Sequence, residues 1–134
     1  MLSERVLTHE KALSLFEKRR DAWLREDIAA YLDCFAEDMT FQSPNDHEPL
    51  RGRAAFAALI HRSDASVRPL AFDFKHLAVH GDYVLAEWRI AIETRGAARR
   101  IEYDGMSVCE IRGEQIVMWR EYWDPADLRL DRGA

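Results

Sequence analysis

Long apolar runs are missing from this chain. The longest, Ala54 to Ile60, makes about two helical turns, against the roughly 20 apolar residues that a membrane-spanning helix needs. The N-terminal MLSERVLTHEK lacks the apolar stretch of a secretion signal, so no membrane partner is expected and the expected location is the cytoplasm. Cysteine is scarce as well: Cys34 and Cys109 sit within apolar patterns and make no CxxC pair, which argues against a thiolate metal site. They read as small buried hydrophobes in a reducing compartment. An excess of positive charge is the third absence. Nineteen Lys and Arg stand against 24 Asp and Glu, a net charge of −5, which offers phosphate backbones no general attraction and argues against nucleic acid as a partner. What remains is 134 residues, 48% hydrophobic and 10% aromatic, enough for one continuous core and hence a single domain over 1–134.

The first half reads as helices and the second as strands, the pattern of an α+β domain with helices packed on one face of an antiparallel sheet. Thr8 is the expected N-cap of a helix reaching about Leu24, with Ala12, Phe16 and Trp23 near one face and Arg20 on that face too. Asp27 caps a second helix, whose Ile28, Tyr31, Leu32 and Phe35 follow the i, i+3, i+4, i+7 spacing of an amphipathic stripe. A short strand over Met39–Ser43 ends at Pro44, and the loop NDHEPLRG leads into a third helix, Arg53 to about His61, that buries Phe56, Leu59 and Ile60. Four longer strands follow: Leu70–Val79, Tyr83–Thr94, Arg99–Ile111 and Gln115–Trp123. Turns bearing Gly81, Gly96 and Gly113 separate them, as hairpins require. No repeat or low-complexity stretch intervenes, and the last residues, LRLDRGA, are expected to fray.

Side chains alternate along a strand, so each segment splits into two faces, and the apolar one should meet the helices. Val84, Ala86, Trp88, Ile90 and Ile92 form such a face. In the strand from Leu70 the corresponding face is Leu70, Phe72, Phe74, His76 and Ala78, where one imidazole interrupts the apolar set. In the last strand Val117, Trp119, Glu121 and Trp123 share a face, which puts a carboxylate between two indoles. Aromatic surroundings desolvate a carboxylate and disfavour its ionised form, which suits Glu121 to acid or base work. Tyr103, with Gly105, Ser107, Cys109 and Ile111, is expected to line the same interior.

Blander readings stand beside these. His76 can be an ordinary core histidine, and Glu121 can pair with Arg20, Arg89 or Arg120. Asp46, His47 and Glu48 are neighbours in an extended loop, point apart and lack further ligands, so no metal is expected. The pairs Arg19-Arg20 and Arg99-Arg100 are flanked by acids and read as solvated surface.

The strings REDIAAYLDCFAEDMTFQSP, RGRAAF and GEQIVMWREYWDP resemble the SnoaL-like branch of the nuclear transport factor two-like superfamily, over about Thr8 to Pro125. That resemblance implies a cone-shaped α+β barrel: a strongly curved, mainly antiparallel sheet wrapped around three helices, with an apolar cavity at its open end. The fold hosts isomerases, epoxide hydrolases, polyketide cyclases and non-catalytic binding proteins, so it does not fix a function. Limonene epoxide hydrolases carry W-R-D-Y-F-D on the last strand; in WREYWD the first Asp is matched by Glu121. Their water-holding Tyr and Asn are matched by Phe41 and Ser43, and their Arg and Asp on the strand here beginning at Tyr83 by Trp88 and Ile90. Most of that machinery is therefore absent. The Asp that ketosteroid isomerases place before a Pro is Ser43 here, before Pro44. An acid and a histidine move protons in the cyclases, roles open to Glu121 and His76.

Two functional classes follow. In the first, the protein is an enzyme without cofactor acting on a small apolar molecule by isomerisation, cyclisation or hydrolysis. Glu121, with His76 or Tyr103, would be catalytic, and Trp23, Arg20, Phe41, Ser43, Trp88, Ile90 and Trp123 would contact the ligand. In the second it is a ligand-binding or assembly module without chemistry, a subunit of a larger complex included. Tyr83, Leu85, Met118 and Tyr122 on the sheet's outer face predict a homodimer.

Overall fold

Thr8 opens the first helix as its composition predicts, its hydroxyl accepting a hydrogen bond from the Lys11 amide at 3.1 Å. The structure is a computed structural model and describes residues 6–128; Arg129–Ala134, within the stretch expected to fray, lie outside the described residues. Helix α1 spans His9–Leu24, α2 Ile28–Asp33 and α3 Arg53–Ser66. The strands are β1 (Phe35–Gln42), β2 (Leu50–Arg51), β3 (Val67–His80), β4 (Tyr83–Thr94), β5 (Arg100–Arg112) and β6 (Gln115–Tyr122), followed by a 3-10 turn over Pro125–Leu128. They make one curved, unclosed sheet in the order β2-β1-β6-β5-β4-β3. No helix among the described residues is long and apolar enough to cross a membrane.

The second helix is shorter than its periodicity suggests. Asp27 does cap it, accepting from the Ala30 amide at 3.1 Å, but it stops at Asp33 and Phe35 starts β1. The reason is long-range: the Cys34 carbonyl accepts from the Ile116 amide at 2.8 Å, and Phe35 stands beside Ile116 in a parallel pairing of β1 with β6. Sheet pairing overrides a helical stripe that alone is too short to be stable. The third helix runs past its predicted end near His61 to Ser66, because nothing in the residues after His61 breaks a helix before the chain turns extended at Val67.

The hairpin strands hold their predicted bounds within a few residues, and Gly113 reverses the chain at φ +65° between β5 and β6. Val84, Ala86, Trp88, Ile90 and Ile92 are buried on the inner face of β4, as their alternation requires. With Phe16, Phe35, Met39, Phe56 and Trp119 they form the core between sheet and helices. Leu59 and Ile60, expected to be buried in α3, are half-buried against that core. Gly105 is required by close approach: a β-carbon there would lie 2.6 Å from Trp88 Cζ3. Both cysteines are free and buried, and burial pushes the Cys109 thiol up to about 12, which makes it inert packing.

Candidate functional site

The last strand carries the candidate site. Its alternation aims Trp119, Glu121 and Trp123 inward, and the Glu121 carboxylate is gripped at both ends. Trp119 Nε1 donates to Oε1 at 2.8 Å and Trp123 Nε1 to Oε2 at 2.6 Å. The side chain is thereby fixed in direction while each oxygen keeps a further acceptor site. Burial raises its pKa above the ordinary carboxylate range, opposed by the indole hydrogen bonds and by the Arg19 charge; Asp46 adds a smaller upward push. Directly across on β5 is Ser107, whose hydroxyl accepts from Trp88 Nε1 at 3.2 Å.

Behind this carboxylate lies a buried cation. Arg19 is 5% exposed and stands in the middle of the inner stripe of α1. Its guanidinium carbon sits 3.9 Å from the Trp119 ring centre, 5.2 Å from Tyr31 and 5.3 Å from Phe72. Desolvated cation–π contacts of this kind contribute about 2 kcal/mol. One nitrogen, Nη2, donates to the Tyr31 hydroxyl at 3.1 Å, while Nε and Nη1 have no hydrogen-bond partner. The Trp119 indole thus touches both charges, Arg19 at its face and Glu121 at its N–H edge.

Of the residues singled out from the sequence, several do converge. Tyr103 is half-buried, packed edge-on against Trp88 and Trp123 at ring separations of 6.1 and 6.0 Å. Burial raises its pKa, with the Glu121 charge adding to the effect, so the phenol stays protonated and keeps its O–H to donate. Trp88 and Ile90 are buried, and Phe41 is packed on Phe56 at 5.0 Å, so these three fill the interior. Trp23 meets Phe72 edge-on at 5.7 Å and, with Tyr31, Ile60 and Val67, lines a cavity of about 30 Å³, room for about one water. Ser43 turns to the loop instead, its amide and hydroxyl both donating to Asp46 at 2.9 and 3.1 Å.

Two expectations are corrected. His76 does not face the interior: β3 slips its register between Phe74 and His76, and such a bulge carries every later side chain to the opposite face. Leu77 and Val79 point to the core in its place, and His76 pairs with Glu87 on the outer surface at 2.7 Å. The Arg19-Arg20 pair is not solvated surface as a unit. Arg20 lies at the edge of the stripe, bonded to Asp21 at 2.9 Å with its guanidinium 5.7 Å from Phe74, while Arg19 is inside. The signal was present: at about 100° per residue, Arg19 falls about 20° from Ala12 on the helical wheel and Arg20 about 80°. Tyr31, read from the sequence as part of an apolar stripe, turns out to be the hydroxyl that receives Arg19.

Asp46, His47 and Glu48 are exposed, and among the described residues no group of three or more His, Cys, Asp or Glu side chains is arranged to hold a metal ion.

Comparison with known proteins places this geometry. The SnoaL-like domain profile matches residues 16–119. Among solved structures, a provisionally assigned isomerase from Bacillus subtilis is 23% identical with a TM-score of 0.80, over 89% of this chain and 90% of that one. An LEH-like epoxide hydrolase from M. tuberculosis is 22% identical with a TM-score of 0.75, over 89% and 86%. A provisionally assigned polyketide cyclase from Xanthomonas campestris is 24% identical with a TM-score of 0.71, over 88% and 93%. No curated protein matches the chain.

Proposed function

The chain belongs to the SnoaL-like family, within the nuclear transport factor two-like superfamily, and from that premise we propose that it is a proton-transfer enzyme acting without cofactor on a small, largely apolar molecule. Glu121 is the general acid or base and the Tyr103 hydroxyl donates to an oxygen of the substrate. The observation that carries this reading is the Glu121 carboxylate held by two indole N–H groups in an aromatic interior. A base fixed in direction loses little entropy on meeting its proton, and a raised pKa brings it nearer the working pH. Isomerisation, cyclisation and water addition, the reactions for which the similar structures are named, all need such a group.

The test is turnover of a panel of ketones, lactones and epoxides by the parent protein and by Glu121→Gln. Loss of about 10²-fold or more in the variant is expected; equal turnover by both removes Glu121 from the chemistry. A second reading, binding without chemistry, is favoured by how fully Phe41, Trp88 and Ile90 fill the positions that carry polar groups in the epoxide hydrolases. Saturable binding with no turnover across the panel would select it. The proposal includes a homodimer through the outer sheet face, where Tyr83, Leu85, Met106 and Tyr122 are exposed.

A further inference from the structure

The proton-transfer reading makes no use of Arg19. A guanidinium has five N–H donors, of which Nε and Nη1 hold three, and neither nitrogen has an acceptor although the residue is 5% exposed. The rings around it answer only part of this deficit. Trp119, lying 3.9 Å under the guanidinium carbon, interacts with the charge but accepts nothing from the donors at the guanidinium's edge. Nor does Glu121 supply the missing acceptor. Its oxygens accept from Trp119 and Trp123, and Arg19 donates its one hydrogen bond to the Tyr31 hydroxyl instead. A desolvated cation with unsatisfied donors, walled by aromatic faces and next to a fixed carboxylate, is the arrangement of a site that lacks its anion.

We propose that Arg19 anchors an organic-anion site, in which the carboxylate or another planar oxyanion of a small molecule completes the hydrogen bonds of Nε and Nη1 and its apolar body lies against Trp119, Tyr31 and Phe72. The substrate class this defines is a small carboxylic acid or equivalent oxyanion with an apolar body, entering beside the half-buried Glu121, Tyr103 and Trp123. The inference rests on the proton-transfer reading for the ligand's position next to Glu121. Binding is measurable without turnover, however, so the two readings fail separately.

The probes are acetate and benzoate, with acetamide and benzamide as neutral shapes of the same size, followed by melting temperature and by tryptophan fluorescence, since Trp119 lies against Arg19. At least one acid should raise Tm and change fluorescence saturably, and its amide should do neither. Arg19→Met should weaken the acid at least about tenfold and, by removing an unneutralised buried cation, melt higher than the parent without ligand. Glu121→Gln should keep or tighten acid binding, because it removes a neighbouring negative charge, even where it abolishes turnover. The proposal is overturned if amide and acid bind alike, if no acid has an effect at tens of millimolar, or if Arg19→Met binds as the parent does. Should Arg19→Met not fold, Arg19→Lys decides. It keeps the charge but not the planar donors, so several-fold weaker binding supports the anchor and unchanged binding rejects it.

Discussion

The two faces of the sheet treat charge in opposite ways. On the outer face, charges pair across strands, Lys75 with Asp104 at 2.8 Å and Arg89 with Asp104 at 3.0 Å, and along β5, Arg100 with Glu102 at 3.0 Å, while the His76 ring meets the Glu87 carboxylate at 2.7 Å. The Lys75 hydrogen bond and the Arg100 hydrogen bond hold the Asp104 and Glu102 carboxyls below the usual range. These groups remain in water, where such pairs contribute little to stability. On the inner face Arg19 is buried and Glu121 half-buried, and each is partnered by aromatic groups instead of by the other. Where charges are cheap they are neutralised, and where they are costly they are left open to something else. A fold selected for stability alone would do the reverse, and this contrast is what supports placing the proposed site at the inner pair.

The largest expected effect attacks the packing that makes the inner face dry. Gly105→Ala drives a methyl into the buried Trp88 ring and should cost about 1–3 kcal/mol, read from chemical denaturation; an unchanged midpoint would mean that Trp88 is free to move. Next, Trp123→Phe removes one donor to Glu121 and should cost about 1.5 kcal/mol at pH 7. The deficit should shrink as pH falls through the folded pKa of Glu121, because a neutral carboxyl accepts a weaker hydrogen bond than a charged one.

The contrast sharpens with a pH series on Glu121→Gln. The folded pKa of Glu121 is raised, so the stability tied to its protonated form is complete below the unfolded value of about 4.3 and is lost as pH climbs through the folded value. The parent's stability relative to the variant, followed by Tm, should therefore decline from pH 4 to 8, by about 1.4 kcal/mol for each pH unit that separates the folded from the unfolded value. A growing advantage would reveal a depressed pKa and a true ion pair with Arg19. On the outer face, Leu85→Lys should turn the proposed dimer into a monomer by sedimentation while changing the fold's stability by about 0.5 kcal/mol or less. Smallest of all, His76→Ala should leave ligand binding and turnover unchanged, since its ring faces away from the interior.

Local chemistry was legible wherever one residue decides the outcome. Thr8 and Asp27 cap their helices, Gly113 turns its hairpin, and the clean alternation of β4 named the core residues around Trp88 correctly. Glu121 between two indoles was likewise readable, because β6 keeps its alternation from Met118 onward. His76 was misplaced because a bulge between Phe74 and His76 leaves no mark in an alternating pattern; the faces of Leu77 and Ala78 are equally apolar in either register. The place of Arg19 runs against its charge, which points to the surface, although the helical wheel sets it among Ala12, Leu15 and Phe16. The parallel pairing of β1 with β6 depends on residues far apart in the chain, and the Tyr31–Phe35 helical stripe pointed the other way.

That pairing also sets an order of assembly. Gln115 reaches back across 80 positions to the Phe35 carbonyl, and without β6 the β1–β2 ribbon has no link to the rest of the sheet. Contacts so distant in sequence form slowly, since the loop between them must close first. The same strand brings Glu121 and Trp119 to Arg19. Until β6 is in place the chain has its cation without its carboxylate, so the step that completes the sheet is also the step that would assemble the proposed site.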